Sequence, residues 1–204
     1  MKRILALAAH PDDVEIGCGG TLASYVDRGA EVHLFVATDG GRGGDMAVRR
    51  AEQEEAARIL GIKQVHWGDF DDTHLPSVAD KLIQSIDGFV EMLQPLIVLV
   101  NHHEDTHQDH RALARAAHSA TRYVPSVLAY ETPTSTNFDP KVFMDISDMM
   151  ERKTEALKAH ASQVERTNIQ GLDILEIAMA TAHFRGIQGR LNSAEAFMPV
   201  RVQL

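Results

Sequence analysis

The chain has 204 residues, enough for one domain that buries roughly 70% of its unfolded surface, and a single domain over residues 1–204 is expected. Its 20 Lys and Arg against 29 Asp and Glu leave a formal charge of −9 with no extended basic run, which argues against nucleic acid or anionic lipid as a partner. No apolar run approaches the roughly 20 residues of a bilayer crossing, Met1 leads straight into a strand-like stretch, and the single cysteine, Cys18, excludes an internal disulfide. A soluble, cytoplasmic protein without membrane insertion is therefore expected.

In chain order, residues 3–9 (RILALAA) form the short apolar run of a strand buried on both faces of a parallel sheet. An acidic, glycine-containing loop follows, then helical spacing over 21–26 that stops at Gly29. Residues 31–38 (EVHLFVAT) read as a second strand and 39–45 (DGGRGGD) as a glycine-dense loop. The spacing then predicts an amphipathic helix over 46–60 closed by Gly61, and a short third strand at 64–67. After a polar stretch at 68–76, a helix runs from Ser77 to about Leu93 and stops before Pro95. Residues 96–100 (LIVLV) are the clearest buried strand. A helix over 111–122, a fifth strand at 126–130 and a Thr, Ser and Pro loop at 132–140 come next. The last third is less regular, with a strand at 142–146, helices near 148–160 and 171–184, and an apolar end at 197–204.

Strands alternating with helices predict an α/β fold, a three-layer Rossmann-like, mostly parallel sheet with helices on both faces and core order 3-2-1-4-5. In that order strands one and four are neighbours, and the crevice beyond their carboxyl ends is where open α/β sheets bind ligands. Both histidine-rich loops of the chain, His10-Pro11-Asp12-Asp13 and His102 to His110, leave those two strands.

His10 and Asp13 can aim an imidazole and a carboxylate at one ion, and a third ligand from the distant loop would complete a His, Asp, His set with open positions. That set suits Zn²⁺ and also Fe²⁺ or another divalent metal. A dinucleotide site is the rival for a glycine-rich turn after a first strand, but Asp12, Asp13 and Glu15 would repel a pyrophosphate and the glycines do not fall as G-x-G-x-x-G.

Together, A-H-P-D-D-V-E-I-G-C-G-G at 9–20 and H-Q-D-H at 107–110 resemble the LmbE-like, or PIG-L, family of metal-dependent N-acetyl sugar deacetylases. Weaker matches are Arg49-x-x-Glu52 and Ala194-Glu195-Ala196-Phe197, and Gln108 stands where the family usually has proline. The resemblance implies that His10, Asp13 and His110 hold the metal, with Zn²⁺ expected. It implies Asp12 as general base, His107 as stabiliser of the tetrahedral oxyanion, Asp109 as the carboxylate that orients a catalytic histidine, and Arg49 as a substrate-binding residue.

Other histidines, among them His33, His66, His74, His118, His160 and His183, are read as surface or core residues without a role, and His102 and His103 as loop polarity. Cys18 is read as helix packing. The function implied is hydrolysis of the N-acetyl group of a glucosamine-type sugar or conjugate, releasing acetate and a free amine. A metal-dependent amidase on a non-sugar substrate and a non-catalytic metal- or sugar-binding protein remain as alternatives. The partner expected is a small acetylated sugar, and a homo-oligomer is expected from the apolar last third and the family resemblance.

Overall fold

The computed structural model describes residues 2–167 and 169–203. Seven strands form one sheet in the order β3-β2-β1-β4-β5-β7-β6, with β1 at Arg3–Ala8, β2 at Glu31–Thr38, β3 at Gln64–Phe70, β4 at Ile97–Asn101, β5 at Ser126–Tyr130, β6 at Val142–Asp145 and β7 at Ala194–Arg201. The first five pair in parallel in the expected order 3-2-1-4-5. The strand at 142–146 and the apolar end of the sequence extend this core as β6 and β7, which run antiparallel along the edge beside β5.

Side chains alternate across a strand, so β1 contributes to two cores. Ile4, Ala6 and Ala8 pack on one face with Val14, Leu22, Leu60 and Ala156. Leu5, Leu7 and Ala9 pack on the other with Leu82, Ile86 and Leu113. Burial on both faces is the reason β1 reads as an uninterrupted apolar run. The first face is covered by α1 (Asp13–Gly17), α2 (Gly19–Asp27), α3 (Met46–Leu60) and α6 (Met150–Ala159), the second by α4 (Ala79–Leu93) and α5 (Gln108–Ala120). A seventh helix, α7 (Ile174–Gly189), packs on β7 and β6. Its start carries a full capping box between Asp173 and Glu176.

Element boundaries differ from the sequence reading where local chemistry hides them. The stretch after β1 reads as a loop, yet Asp13–Gly17 closes one short helix before Cys18 breaks it from α2. Strand β3 continues past Trp67 to Phe70 across a register shift opposite Val36 and Thr38. Helix α5 begins at Gln108 rather than at 111, which places Asp109 and His110 in its first turn. Cys18 is fully buried in the core, and burial pushes its thiol well above the ordinary value, so it serves packing rather than chemistry.

Candidate metal centre and catalytic cleft

The chain leaves β1 at Ala8 and turns sharply at Asp12, whose φ of 89° lies in the left-handed region. An aspartate tolerates this better than most residues, but the conformation still costs free energy and has to be held. Three contacts hold it. Gln53 Oε1 accepts from the Asp12 amide at 3.1 Å, while Arg49 Nη2 donates to Pro11 O at 2.8 Å and to Asp12 Oδ2 at 3.1 Å. Immediately after the turn, Gly17 lies so close to Tyr130 that any Cβ would overlap its ring, which fixes α1 against the end of β5.

Donor atoms of three residues converge beyond the ends of β1 and β4. His10 Nδ1 is 3.3 Å from His110 Nε2, Asp13 Oδ1 is 3.2 Å from His110 Nε2, and Asp13 Oδ2 is 3.8 Å from His10 Nδ1. The second oxygen of Asp13 also accepts the amides of Ala9 and His10, both at 3.0 Å, so the carboxylate cannot rotate away. Helix α5 carries His110 and β1 delivers His10, so adjacency of β1 and β4 is what assembles the set.

The far nitrogen of each histidine faces carboxylates. His10 Nε2 lies 3.1 Å from Asp72 Oδ1 and 3.3 Å from Asp109 Oδ2. His110 Nδ1 lies 3.2 Å from Asp105 Oδ2, near enough for charge pairing though not aligned as a hydrogen bond. These carboxylates are themselves anchored. Asp109 accepts the amides of Thr73 at 2.7 Å and Leu75 at 3.2 Å, Asp72 that of Arg42 at 2.9 Å, and Asp105 the hydroxyls of Thr132 and Ser135, both at 3.0 Å.

This donor set fits a metal ion. Donors around a tetrahedral zinc with bonds near 2.0 Å stand about 3.3 Å apart, which matches two of the three separations above. A carboxylate on the outer nitrogen of a ligating imidazole is the usual arrangement that fixes its tautomer. The charges agree. Burial disfavours a charged His10, but Asp109, Asp72 and Asp13 outweigh it and raise its pKa to about 9. Burial opposes charge on His110 as well, yet Asp13 and Asp105 raise it to about 10. Burial alone would raise Asp13, and the two histidines instead hold it well below the carboxylate range. The surrounding carboxylates favour positive charge at this point, and an ion bound there would displace the imidazole protons, because a ligating imidazole is neutral.

His10, His107 and His110 also offer nitrogens within 4.8 Å of one another, as His10 does with Asp72 and Asp109. His107 is set apart by its hydrogen bond. It is the N-cap of α5, and its Nδ1 accepts from the Asp109 amide at 3.2 Å. A neutral imidazole that accepts at Nδ1 carries its proton on Nε2, and so presents a donor rather than a lone pair. Burial, with the neighbouring His10 and His110, lowers its pKa and favours that neutral form.

The sequence-derived residues thus fall together. His10, Asp13, His110, His107, Asp109 and Asp12 are clustered, and Arg49 reaches them through Asp12. Asp109 contacts His10, and Arg49 is buried against the Asp12 turn with Gly40 O as a further acceptor at 2.9 Å. Glu52 does not pair with Arg49; it accepts the Ser162 amide and hydroxyl, both at 2.7 Å. Asp72 and Asp105 join the site without any expectation from the sequence, and so does His160. The last is 1% exposed, lines the same cavity as Asp12, Asp13 and His110, and has neither ring nitrogen hydrogen-bonded among the described residues. Its Nε2 is 3.5 Å from Glu15 Oε2, and Glu15 is tied through Gln53 to the Asp12 amide.

Residues 5–121 match the family described as PIG-L: GlcNAc-PI de-N-acetylase. The chain belongs to the PIG-L family. An uncharacterized deacetylase, YaiS, from Escherichia coli (strain K12) is 36% identical over 169 residues, spanning 79% of this chain and 91% of that protein. The diacetylchitobiose deacetylase of Thermococcus kodakarensis is 32% identical over 189 residues, spanning 80% and 70%. Among solved structures, the conserved protein TT1542 of Thermus thermophilus superimposes with a TM-score of 0.84 at 29% identity, covering 100% of this chain and 97% of that one. The strongest motifs of this PIG-L member lie inside the matched segment, while β5 to β7 and α6 to α7 lie beyond it.

Proposed function

We propose that the chain hydrolyses the N-acetyl group of a glucosamine-type sugar or conjugate, releasing acetate and a free amine, with Zn²⁺ as the resident metal. The observation that carries this reading is the convergence of His10, Asp13 and His110, with the His107 ring against those of His10 and His110, beside a cavity lined by Asp12, Asp13 and His110. The named deacetylases among its relatives support the same chemistry.

His10, Asp13 and His110 would hold the ion, which when bound polarises the amide carbonyl and lowers the pKa of water. Asp12 accepts the proton of the attacking water. Burial raises its carboxyl to about 6 against the opposing charge of Arg49, so it is ionised at neutral pH yet basic enough to take a proton. Arg49 has a positioning role, since it holds both the Pro11 carbonyl and the Asp12 carboxylate. As the carbonyl oxygen gains charge, His107 Nε2–H donates to it, and such a donor typically contributes about 3 to 4 kcal/mol to the transition state. Collapse of the tetrahedral centre expels the amine, which takes the proton held on Asp12. Asp109, Asp72 and Asp105 keep the two ligand imidazoles oriented throughout.

The test is the Asp12→Asn variant with metal content measured in parallel. Acetate release from N-acetylglucosamine conjugates is expected to fall by about 10² to 10⁴ with metal retained, and undiminished turnover would remove Asp12 from the reaction.

A further inference from the structure

The cavity beside the metal centre carries two polar sets, the catalytic groups and a second set of Thr132, Thr134, Gln163, Arg166 and Thr167, in which Gln163 and Arg166 already donate to Gly43 O and Thr167 to the carbonyls of Ile169 and Leu172. Asp12, Asp13, His110 and His160 line it beside the metal centre, and Ile16, Leu157, Ile169, Ile174 and Ile177 supply aliphatic lining. Its volume is about 360 Å³. A second cavity of about 370 Å³ adjoins it, since Ile16, Thr132, Pro133, Ile169 and Ile177 line both. The second space runs along α7 past Leu172, Ala178 and Ala182. Each is within the usual size range of a small-molecule site, about 300 to 1,000 Å³.

The charged groups lining the second cavity are already engaged. Lys153 pairs with Glu195 at 2.5 Å and Arg185 with Glu131 at 2.6 Å, so neither pair offers a free charge. The Thr132 and Ser135 hydroxyls are spent on Asp105. Among the described residues, no Trp, Tyr or Phe lines either cavity. A second sugar seated here would take its hydroxyls out of water against branched aliphatic side chains, where an unmatched hydroxyl is costly. An alkyl chain would lose nothing by the same transfer and would gain the burial of its methylenes.

We infer that the two cavities form a subsite for a neutral aliphatic aglycone, so that the preferred substrate is an N-acetylglucosamine bearing an alkyl or acyl chain rather than a second sugar. This rests on the deacetylase reading above and narrows it to a substrate class. The sugar end sits at the Asp12 and His110 side, and the chain passes Ile16 and Ile177 towards Leu172 and Ala182.

The experiment measures acetate release by the metal-loaded protein from methyl, butyl and hexyl N-acetylglucosaminides and from N,N′-diacetylchitobiose, all below any micelle-forming concentration. Full burial of a methylene corresponds to a factor of about four, so kcat/KM is expected to rise about tenfold or more from methyl to hexyl, with diacetylchitobiose no better than the methyl glycoside. In Leu172→Gln the hexyl-to-methyl ratio falls towards one. Ile169→Gln does the same at a position that is 58% exposed and so does not threaten folding. A flat chain-length profile, a preference for diacetylchitobiose, or an unchanged ratio in both variants overturns the aliphatic subsite while leaving the deacetylase reading standing. Absence of acetate from every compound overturns the deacetylase reading and this inference with it.

Discussion

Replacing Lys153 with methionine removes one partner of the buried ion pair that joins α6 and β7 to α1 and α2. Lys153 is 2% exposed and Glu195 4%. The ammonium donates to the carbonyls of Glu15 at 2.9 Å and Ile16 at 2.7 Å, and to Glu195 Oε1 at 2.5 Å. Glu195 in turn accepts the amides of Gly20 at 2.9 Å and Thr21 at 2.7 Å, capping the start of α2. The pair therefore closes both sides of the break between α1 and α2, one helix past Asp12 and Asp13. Breaking such a pair typically costs about 3 to 5 kcal/mol, because the remaining charge stays buried. Two features bring the value for Lys153→Met to the lower end, about 3 kcal/mol: Glu195 keeps two amide donors, and the adjoining cavity admits water. The double variant Lys153→Met/Glu195→Gln should recover about half of that loss, because it leaves no unpaired charge. Urea unfolding of the wild type, both single variants and the double variant measures this. A loss below about 1 kcal/mol in Lys153→Met, or additive losses in the double variant, would refute a coupled buried pair.

Further outcomes follow from the same geometry. Arg49→Gln removes the cation that opposes the rise of the Asp12 pKa; activity needs the carboxylate and is lost as pH falls through that pKa, so the acid limb of kcat/KM should move to higher pH by about one unit or more. An unmoved limb in a pH-rate profile would detach Arg49 from Asp12. Asp109→Asn should weaken metal binding by about 10- to 100-fold, with much of the activity restored by excess metal; unchanged affinity by metal titration would deny its hold on His10. His107→Gln should lower kcat by about 10² to 10³ with little change in KM, and a KM effect alone in steady-state kinetics would make it a ground-state contact.

Much of the site is readable from local pattern. The apolar runs at β1 and β4 announce buried parallel strands, and each is followed at once by a cluster of imidazoles and carboxylates. Parallel-sheet topology then places both clusters at one crevice, so a third ligand from the distant loop is expected beside His10 and Asp13, while the choice of His110 is what the family resemblance implies. Asp72 and Asp105 carry no such signal. Asp72 comes from the loop after β3, two strands away from β1 in the sheet, and reads as one of several acidic turn residues. Asp105 lies in a loop whose polarity has a simpler explanation, and only the packing of Thr132 and Ser135 against it reveals its place. Arg49 and Glu52 stand three apart on α3, a spacing that suggests a surface ion pair. Their partners, Asp12 and Ser162, are distant in sequence. His160 ends a helix in the least regular third of the chain, and its burial beside Glu15 depends on how α6 packs over α1.

In the proposed reaction a metal ion held by His10, Asp13 and His110 and a base at Asp12 together remove an acetyl group from an amino sugar. Titrating Zn²⁺ into chelator-stripped protein while following acetate release from an N-acetylglucosamine conjugate tests it most directly. Activity should rise linearly and level off at about one metal ion per chain, and the His110→Ala protein should neither bind that ion tightly nor release acetate. Acetate release that persists in the stripped protein, or full metal loading with no release from any acetylated sugar, would contradict it.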